Sequence, residues 1–308
     1  MGELLYIENT GSDDVSIVDV ERRALVGTIA VGHHPDDVLI APDGDVLLVN
    51  RQAVRDVVAI SIVSGEILWS VDVGGLPHHM ALSGSGARLY VALFDEPHDV
   101  VIDIATREIV GRPATGYGAH GVFLSPSGER FYVGSMFLDH IAVVDATSLQ
   151  TLRAIPMDEG VRPFGLTSDE RMLYAQLSKL HGFVVVDVAS AETVARVPLP
   201  PLDVPSPKWF PHTVNHGLRI SAGDDELWLA ATIADYVAVY SIPSHELRAQ
   251  IPVGREPGWL VLSDDGERAY VTNRGSNDVS IIDVRARAEI ARVSVGTYPQ
   301  RMCAIASP

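Results

Sequence analysis

Hydrophobic and polar positions alternate in short segments along the chain, and one stretch shows the repeating unit clearly. Between Val253 and Val295, apolar runs at Trp259 to Leu262, Ala269 to Thr272, Val279 to Val284 and Ile290 to Val295 are separated by polar turns. Short runs of β-branched and aromatic residues, bounded by Asp, Asn and Gly, predict β-strands. Four such strands in about 40 residues predict one blade of a β-propeller.

The same unit recurs along the whole chain. The position of Pro257 is taken in turn by Pro35, Pro77, Ala119, Pro163, Asn215, Pro257 and Pro299, with steps of 42, 42, 44, 52, 42 and 42 residues. A strand, a polar turn and a second strand follow each start. Seven starts predict seven four-stranded blades.

The two ends of the chain complete one blade between them. Only one strand, Arg301 to Ala306, follows Pro299, whereas three strands precede the first start, at Leu4 to Ile7, Val15 to Val20 and Leu25 to Ala30. Sharing one blade between the termini closes the ring and removes two exposed sheet edges. The pattern therefore predicts an all-β fold, a seven-bladed β-propeller, as a single domain over residues 1–308.

One blade carries a family signature. Ala269-Tyr270-Val271-Thr272-Asn273, followed by Val279 to Val284, resembles the YVTN-type seven-bladed propeller repeat, and the resemblance covers essentially the whole chain. It implies the propeller fold. Related propellers include surface proteins, lactonases, lyases, cofactor-handling proteins and redox enzymes, so the function has to be read from the site.

Charge and composition narrow the partners. Acidic residues outnumber basic ones by 40 to 23, for a formal charge of −17, and such a field repels phosphate backbones, so we expect no nucleic-acid partner. The single cysteine, Cys303, rules out an intramolecular disulfide. No apolar run is long enough to span a bilayer, so we expect no membrane partner and a cytoplasmic location. An exported protein whose leader has been removed is the alternative.

Three histidines repeat in register on the face where the chain enters the inner strands. His78, His120 and His216 each follow the start residue directly, on blades 2, 3 and 5. Copies of one repeat position lie at similar height and radius, so these imidazoles are predicted to converge on the axis. They would hold a divalent transition metal such as Zn, Cu, Fe or Mn, with Asp36 or His212 as a fourth ligand. Alternatively, they contact loop backbones or an organic ligand directly.

Other residues on the same face complete a predicted substrate site. The predicted anion anchors are Arg51, Arg162, Arg255, Arg274 and Arg301, and the predicted apolar walls are Tyr117, Trp209, Trp259 and Tyr298. Five arginines on one rim of an acidic protein favour a small anionic or carbonyl-bearing substrate. His79 or His34 would move protons.

These residues predict an enzyme that acts on a small organic molecule in a His-rich axial funnel, by metal-assisted hydrolysis, elimination or isomerisation. The chain has no Gly-x-Ser-x-Gly elbow, phosphate loop or dinucleotide fingerprint, which disfavours those enzyme classes. The alternative is a non-catalytic propeller that binds a protein partner or a cofactor. A scaffold of that kind has no need for register-matched histidines on its axis.

Overall fold

A computed structural model of the chain describes residues 2–202 and 213–306. These residues form seven four-stranded antiparallel sheets, which are the blades of a propeller. Blade 1 comprises β4 (Pro35–Ile40), β5 (Val46–Arg51), β6 (Asp56–Ser61) and β7 (Ile67–Asp72). Blade 2 comprises β8 (Pro77–Leu82), β9 (Arg88–Leu93), β10 (Val100–Asp103) and β11 (Glu108–Gly111). Blade 3 comprises β12 (Ala119–Leu124), β13 (Arg130–Ser135), β14 (His140–Asp145) and β15 (Thr151–Pro156).

The remaining blades follow the same order from the axis outwards. Blade 4 comprises β16 (Val161–Leu166), β17 (Met172–Leu177), β18 (Gly182–Asp187) and β19 (Glu192–Pro198). Blade 5 comprises β20 (Leu218–Ile220), β21 (Glu226–Ala231), β22 (Tyr236–Ser241) and β23 (Leu247–Pro252). Blade 6 comprises β24 (Pro257–Leu262), β25 (Arg268–Asn273), β26 (Asp278–Asp283) and β27 (Ala288–Ser294). Blade 7 comprises β28 (Pro299–Ala306), β1 (Glu3–Asn9), β2 (Asp14–Asp19) and β3 (Ala24–Ala30).

Blade 7 joins the two ends of the chain. Its strand order is β28-β1-β2-β3, and Tyr6 in β1 lies opposite Cys303 in β28. The predicted all-β fold, its seven blades and the closure by shared terminal strands are therefore confirmed. The single domain over residues 1–308 stays a prediction. None of the described residues belongs to a helix that is long and apolar enough to cross a membrane.

Alternating side chains of each blade pack against its two neighbours. In β1, Leu5 and Ile7 join a buried cluster with Tyr270 of blade 6, whereas Tyr6 joins a cluster with Val38 of blade 1. This is the two-residue period of a strand buried on both faces. Because hydrophobic clusters of this kind fill the space between successive blades, the stability of blade 7 depends on its packing against both blade 6 and blade 1.

A β-bulge interrupts the beginning of several inner strands. Pro35 lies opposite Arg51, but Asp37 lies opposite Asn50, so Asp36 has no partner of its own in the ladder. Blades 2, 3, 4 and 6 shift register at the same point. A bulge turns the extra residue out of the regular alternation, which allows it to face the propeller axis.

A carboxyl at the start of the third strand, buried in blades 1 and 6 and half-buried in blade 7, is paired with a side chain of the second strand. Asn9 donates to Asp14 at 2.6 Å, Asn273 donates to Asp278 at 2.7 Å, and Arg51 holds Asp56 with two hydrogen bonds. In blade 2 the donor position is taken by an apolar residue, Leu93.

Asp99 in blade 2 therefore lacks that side-chain donor. Its Oδ1 still accepts a bond from the Leu93 amide at 2.8 Å, but its Oδ2 is buried without a hydrogen bond. Burial raises the Asp99 pKa to about 7, and the amide and the nearby Thr115 hydroxyl only partly offset this effect.

We expect Asp99→Asn to remove part of the pH dependence of stability. A carboxyl whose pKa rises on folding favours the folded state at low pH, and this contribution is lost as pH rises from about 4 towards 7. The neutral amide keeps an acceptor for the Leu93 amide and does not ionise. Relative to the wild type, the variant should gain on the order of 4 kcal/mol in free energy of unfolding between pH 4 and pH 7.5.

Urea unfolding of both proteins at several pH values measures this difference. Asp278→Asn is the matched control, because Asp278 has its Asn273 donor and the substitution should cost stability at pH 7.5. A constant difference between Asp99→Asn and the wild type across the pH range contradicts the assignment.

Candidate functional site

One residue near the start of each inner strand lies on a common ring around the axis. The seven residues, here called the axial ring, are Asp36, His78, His120, Arg162, His216, Gly258 and Gln300. All except Gly258 line one central cavity of about 720 Å³. The predicted convergence of His78, His120 and His216 is thus seen in the structure.

Strand pairing corrects the alignment of blade 4. Val161 lies opposite Leu177, as Ala119 lies opposite Ser135 in blade 3. The start of blade 4 is therefore Val161, and Pro163, chosen because four other starts are prolines, comes two residues later. A bulge tolerates proline because it needs no ladder hydrogen bond there. It follows that Arg162 shares the register of the three histidines.

The three imidazoles form a continuous row at the bottom of the cavity. The ring centroids of His78 and His120 are 5.3 Å apart, and those of His120 and His216 are 5.4 Å apart. Burial lowers the pKa values of His120 and His216 well below the usual range, and the charges of Arg162 and Arg274 add to the effect. Both rings are therefore neutral at neutral pH.

The tautomer of His216 follows from its neighbours. Its Nδ1 lies 2.7 Å from the carbonyl oxygen of Gly258, which only accepts, so Nδ1 carries the proton and Nε2 keeps a free lone pair. Arg274 Nη2 is 3.3 Å from the same Nδ1. Two donors do not bond each other, so we treat this second contact as close packing.

Asp36 lies beside His78 and is held as an anion. Its Oδ2 lies 3.2 Å from His78 Nδ1, although the ring is not aligned for a full hydrogen bond. Arg301 pairs with the same carboxylate, and Gln300 Nε2 donates to its Oδ1 at 2.6 Å. Burial alone would raise the Asp36 pKa, but Arg301 and His78 overcome it and hold the pKa well below its usual range.

Asn50 fixes the spacing between Asp36 and His78. Its Oδ1 accepts from the amides of Asp36 and Asp37 at 3.1 and 2.8 Å, and its Nδ2 donates to the His78 carbonyl. Asn50 is fully buried. One amide side chain thus ties the bulge of blade 1 to the inner strand of blade 2.

Two arginines give the cavity a positive side. Arg162 donates to Ser178 Oγ at 3.0 Å, and burial together with Arg274 lowers the Arg162 pKa to about 9. Arg274 lies 5.8 Å from the centre of the Tyr298 ring, and its Nε is buried without a hydrogen bond. Within the described residues, no carboxylate lies in ion-pair contact with Arg274. A half-buried guanidinium in this state is suited to bind an anion.

A second register forms the walls of the cavity. The residue directly after each second strand is Thr10, Gln52, Phe94, Met136, Ser178, Thr232 or Arg274, and we call this set the wall ring. All except Ser178 line the cavity. Sequence analysis identified Arg274 but missed the others, although the 42-residue spacing from Thr10 to Ser178 was available as a signal.

Several predicted residues lie below the cavity and do not line it. His79 is buried, its Nδ1 accepts from the Val122 amide at 3.1 Å, and its ring packs against Trp259 at 5.3 Å. Trp259 lies in turn between two guanidinium groups, with Arg219 at 4.6 Å and Arg301 at 5.1 Å. These side chains close the axis beneath the histidines, so His79, Trp259 and Arg301 support the site without contacting its contents.

The other predicted residues divide between the cavity mouth and the surroundings. His34 and Tyr298 line the mouth. Arg51 is buried against Asp56, Arg255 is exposed and donates to the Gly275 carbonyl, and the Tyr117 side chain is half exposed. None of these three lines the cavity. Trp209 and His212 lie outside the described residues.

A larger groove of about 980 Å³ lies between blades 3 and 4 at the opposite ends of the strands. Two of its three arginines are engaged: Arg153 donates to the Val188 and Ala189 carbonyls, and Arg130 pairs with Glu170. The groove contains no histidine. The axial cavity, here called the funnel, is therefore the better candidate for chemistry.

Donor types suited to a metal are present in the funnel, but not in a metal-binding arrangement. In residues 2–202 and 213–306, no group of three or more His, Cys, Asp and Glu side chains is placed to hold an ion. Two of the histidines nevertheless have a contact that is common in metal sites. His78 and His216 each direct Nδ1 at an oxygen, as metal-binding histidines commonly do.

Comparison with known proteins identifies the fold. No family model matches the chain, and no curated protein is detectably similar to it in sequence, so the resemblance to YVTN-type repeats stays a prediction. Among solved structures, Kuenenia stuttgartiensis hydrazine synthase is similar with a TM-score of 0.79 and 21% identity over 91% of this chain and 92% of that chain. The periplasmic gluconolactonase PpgL of Pseudomonas aeruginosa has a TM-score of 0.77 and 20% identity over 100% and 99%.

A third similar structure is the dihydro-heme d1 dehydrogenase NirN in complex with DHE, with a TM-score of 0.66 and 15% identity over 97% of this chain and 74% of that one. At these identities the likeness shows the fold alone. Because the similar structures include enzymes, the fold is compatible with an enzymatic function.

We expect Arg301→Met to destabilise the protein by about 3–5 kcal/mol, because it leaves the buried Asp36 carboxylate without its cation. Arg255→Met is the matched control. That arginine is exposed, and its loss should change the free energy of unfolding by less than about 0.5 kcal/mol. Urea unfolding at pH 7 measures both, and equal effects of the two substitutions would contradict the ion pair as a structural element.

Proposed function

We propose that the chain is an enzyme that binds a small anionic, carbonyl-bearing molecule in the funnel and acts on it by general-base catalysis. The reaction classes are hydrolysis, elimination and isomerisation, which share removal of a proton as an early step. The observation that carries the proposal is the pairing of His78 with Asp36 in the same cavity as Arg274, a half-buried cation without a carboxylate in ion-pair contact among the described residues.

His78 is the proposed base. The Asp36 carboxylate beside Nδ1 favours the tautomer with its proton on that nitrogen, which leaves Nε2 able to accept a proton from water or from a substrate carbon. Arg301 keeps Asp36 ionised, and Asn50 holds the two residues in register. His79 has no part in the proposal, since it lies below the funnel. His34 at the mouth is placed to exchange protons with solvent.

Charge that develops on the substrate oxygen would be stabilised by the arginines. Arg162 and Arg274 lie on blades 4 and 6 with His216 between them on blade 5. Fixed cations that are partly shielded from solvent stabilise an oxyanion more than they would in bulk water. The neutral rings of His120 and His216 add polar contacts without repelling the substrate.

The funnel also supports a second proposal, a divalent transition metal on His78, His120 and His216. Asp36 remains beside His78, while His212 lies outside the described residues. A metal bound there would polarise a carbonyl or lower the pKa of its water. The nearby arginines favour neutral imidazoles, which metals require, but they also repel a dication.

Partners and location belong to the same proposal. A small-molecule substrate fits the funnel, and an acidic chain does not favour nucleic acid. We propose a cytoplasmic location and no membrane partner. The periplasmic gluconolactonase among the similar folds makes export the alternative to test.

We expect His78→Gln to lower kcat by about 10²–10⁴-fold, because glutamine keeps the polar contact but cannot accept a proton. The measurement is turnover of a panel of lactones, aryl esters and β-hydroxy acids, with incorporation of deuterium from solvent as a second readout. His98→Gln is the matched control, because His98 lies on the same face but does not line the funnel.

Equal turnover by His78→Gln and the wild type would contradict the assignment of the base. Two results together would favour the non-catalytic propeller. The first is that no compound of the panel is turned over or incorporates deuterium. The second is that the His78→Ala, His120→Ala, His216→Ala triple variant captures a protein partner as the wild type does.

For the metal, we expect elemental analysis of the tag-free protein to give near-stoichiometric Zn, Cu, Fe or Mn that is lost in the same triple alanine variant. Acidification below about pH 6.5 should weaken binding, because protonated imidazoles do not bind metal. Equal, substoichiometric metal in both proteins after reconstitution would exclude the site and leave the histidines as direct contacts to an organic ligand.

A further inference from the structure

We infer that the funnel selects aromatic carboxylates, with the carboxylate at Arg274 and the aromatic body on the opposite wall, formed by Leu76, Phe94 and Met136. This inference rests on the proposed function in that it assigns the same cavity to an anionic ligand. It adds the chemical class of that ligand and its orientation.

The geometry of a seven-membered ring sets the orientation. Arg274 belongs to blade 6, and in a ring of seven the blades opposite blade 6 are 2 and 3. Leu76 and Phe94 are on blade 2, and Met136 is on blade 3. The cationic side of the funnel and its apolar side therefore face each other across the axis, so one ligand can contact both.

The cationic side requires an anion. The guanidinium of Arg274 is desolvated, which lowers its pKa, and its Nε has no hydrogen-bond acceptor. A carboxylate matches the fork of donors in a guanidinium group and would supply the missing acceptor. A neutral ligand without an acceptor would leave the Arg274 Nε without a hydrogen bond.

The opposite wall requires an apolar, planar group. The Phe94 ring lies 5.0 Å from the ring of His78 and 4.8 Å from that of Phe137, so the wall is already lined with aromatic faces. Met136 adds a polarisable thioether, which packs favourably against aromatic rings.

Size points the same way. At about 720 Å³, the funnel falls in the range of cavities that enclose drug-sized ligands. An acid of two or three carbons would reach Arg274 but would be too short to contact Leu76, Phe94 and Met136 as well. A fused aromatic ring adds the apolar area that the opposite wall offers.

Isothermal titration calorimetry with the full chain at pH 7 tests the inference, using 2-naphthoate, acetate and 2-naphthamide as probes. We expect naphthoate to bind at least about 10-fold more tightly than either of the others, because only naphthoate engages both sides. Arg274→Gln should weaken naphthoate by about 10-fold or more and leave the amide unchanged. Phe94→Ala should weaken naphthoate and leave acetate unchanged.

Two matched controls lie on the same face but outside the funnel. Arg255→Gln and Tyr117→Ala, both at exposed side chains, should bind naphthoate like the wild type. Should a funnel variant fail to fold, the series of probes on the wild type decides alone. Binding of acetate or 2-naphthamide as tight as that of naphthoate overturns the inference.

Failure of the proposed function is a separate outcome. None of the probes has to react. If naphthoate binds as expected but His78→Gln turns over its substrate like the wild type, the assignment of His78 as the base is wrong and the ligand class stands. If short acids are turned over in a reaction that requires His78, and naphthoate binds no more tightly than the other probes, the proposed function stands and the inferred ligand class is wrong.

Discussion

A buried ion pair between Asp36 and Arg301 links the closure of the ring to the chemistry of the funnel. Asp36 lies in the first inner strand after the N-terminal strands, and Arg301 lies in the last strand of the chain; both are almost fully buried. Two buried charges are tolerated only when they are paired and further hydrogen-bonded. Here Arg301 also donates to the Asp36 carbonyl at 2.8 Å, and Gln300 donates to the Asp36 carboxylate. The contact that joins blade 7 to blade 1 is thus the one that keeps Asp36 ionised beside His78.

The net charge of the side chains that line the funnel depends on this pairing. Because Asp36 and Arg301 neutralise each other, the other charged side chains that line the funnel among the described residues are Arg162, Arg274 and the exposed Glu256. The chain as a whole carries a formal charge of −17, yet surface charges are screened by salt over about 8–10 Å, whereas desolvated arginines in a cavity are screened much less. An anion in the funnel would therefore be held by contacts with these side chains and would not be drawn in by the long-range field of the protein.

Sequence analysis recovered what repeats and lost what depends on side-chain partners. The blade count, the shared blade and the meeting of His78, His120 and His216 all follow from spacing, and the structure bears them out. Blade 4 was misaligned because Pro163 mimics the proline of other starts, while the strand pairing begins at Val161. Arg51 was taken for an anion anchor. Its partner Asp56 lies five residues away, at the position where Asn9 and Asn273 find Asp14 and Asp278, and comparison of the blades would have revealed this pair.

The axial ring and the wall ring explain why the fold leaves the function open. Their residues occupy bulges and the first positions of loops, whereas the hydrophobic clusters between blades are built from the regular strand positions. Substitution in either ring therefore changes what the funnel presents with little effect on how blades pack. In this chain the axial ring holds carboxylate, imidazole, guanidinium and amide groups, and the wall ring runs from Phe94 and Met136 to Arg274. Structures that share 15–21% of the sequence have the same blades but do not show which side chains line the funnel of this chain. The contrast between the apolar wall-ring residues of blades 2 and 3 and the arginine of blade 6 has to be read from this chain itself.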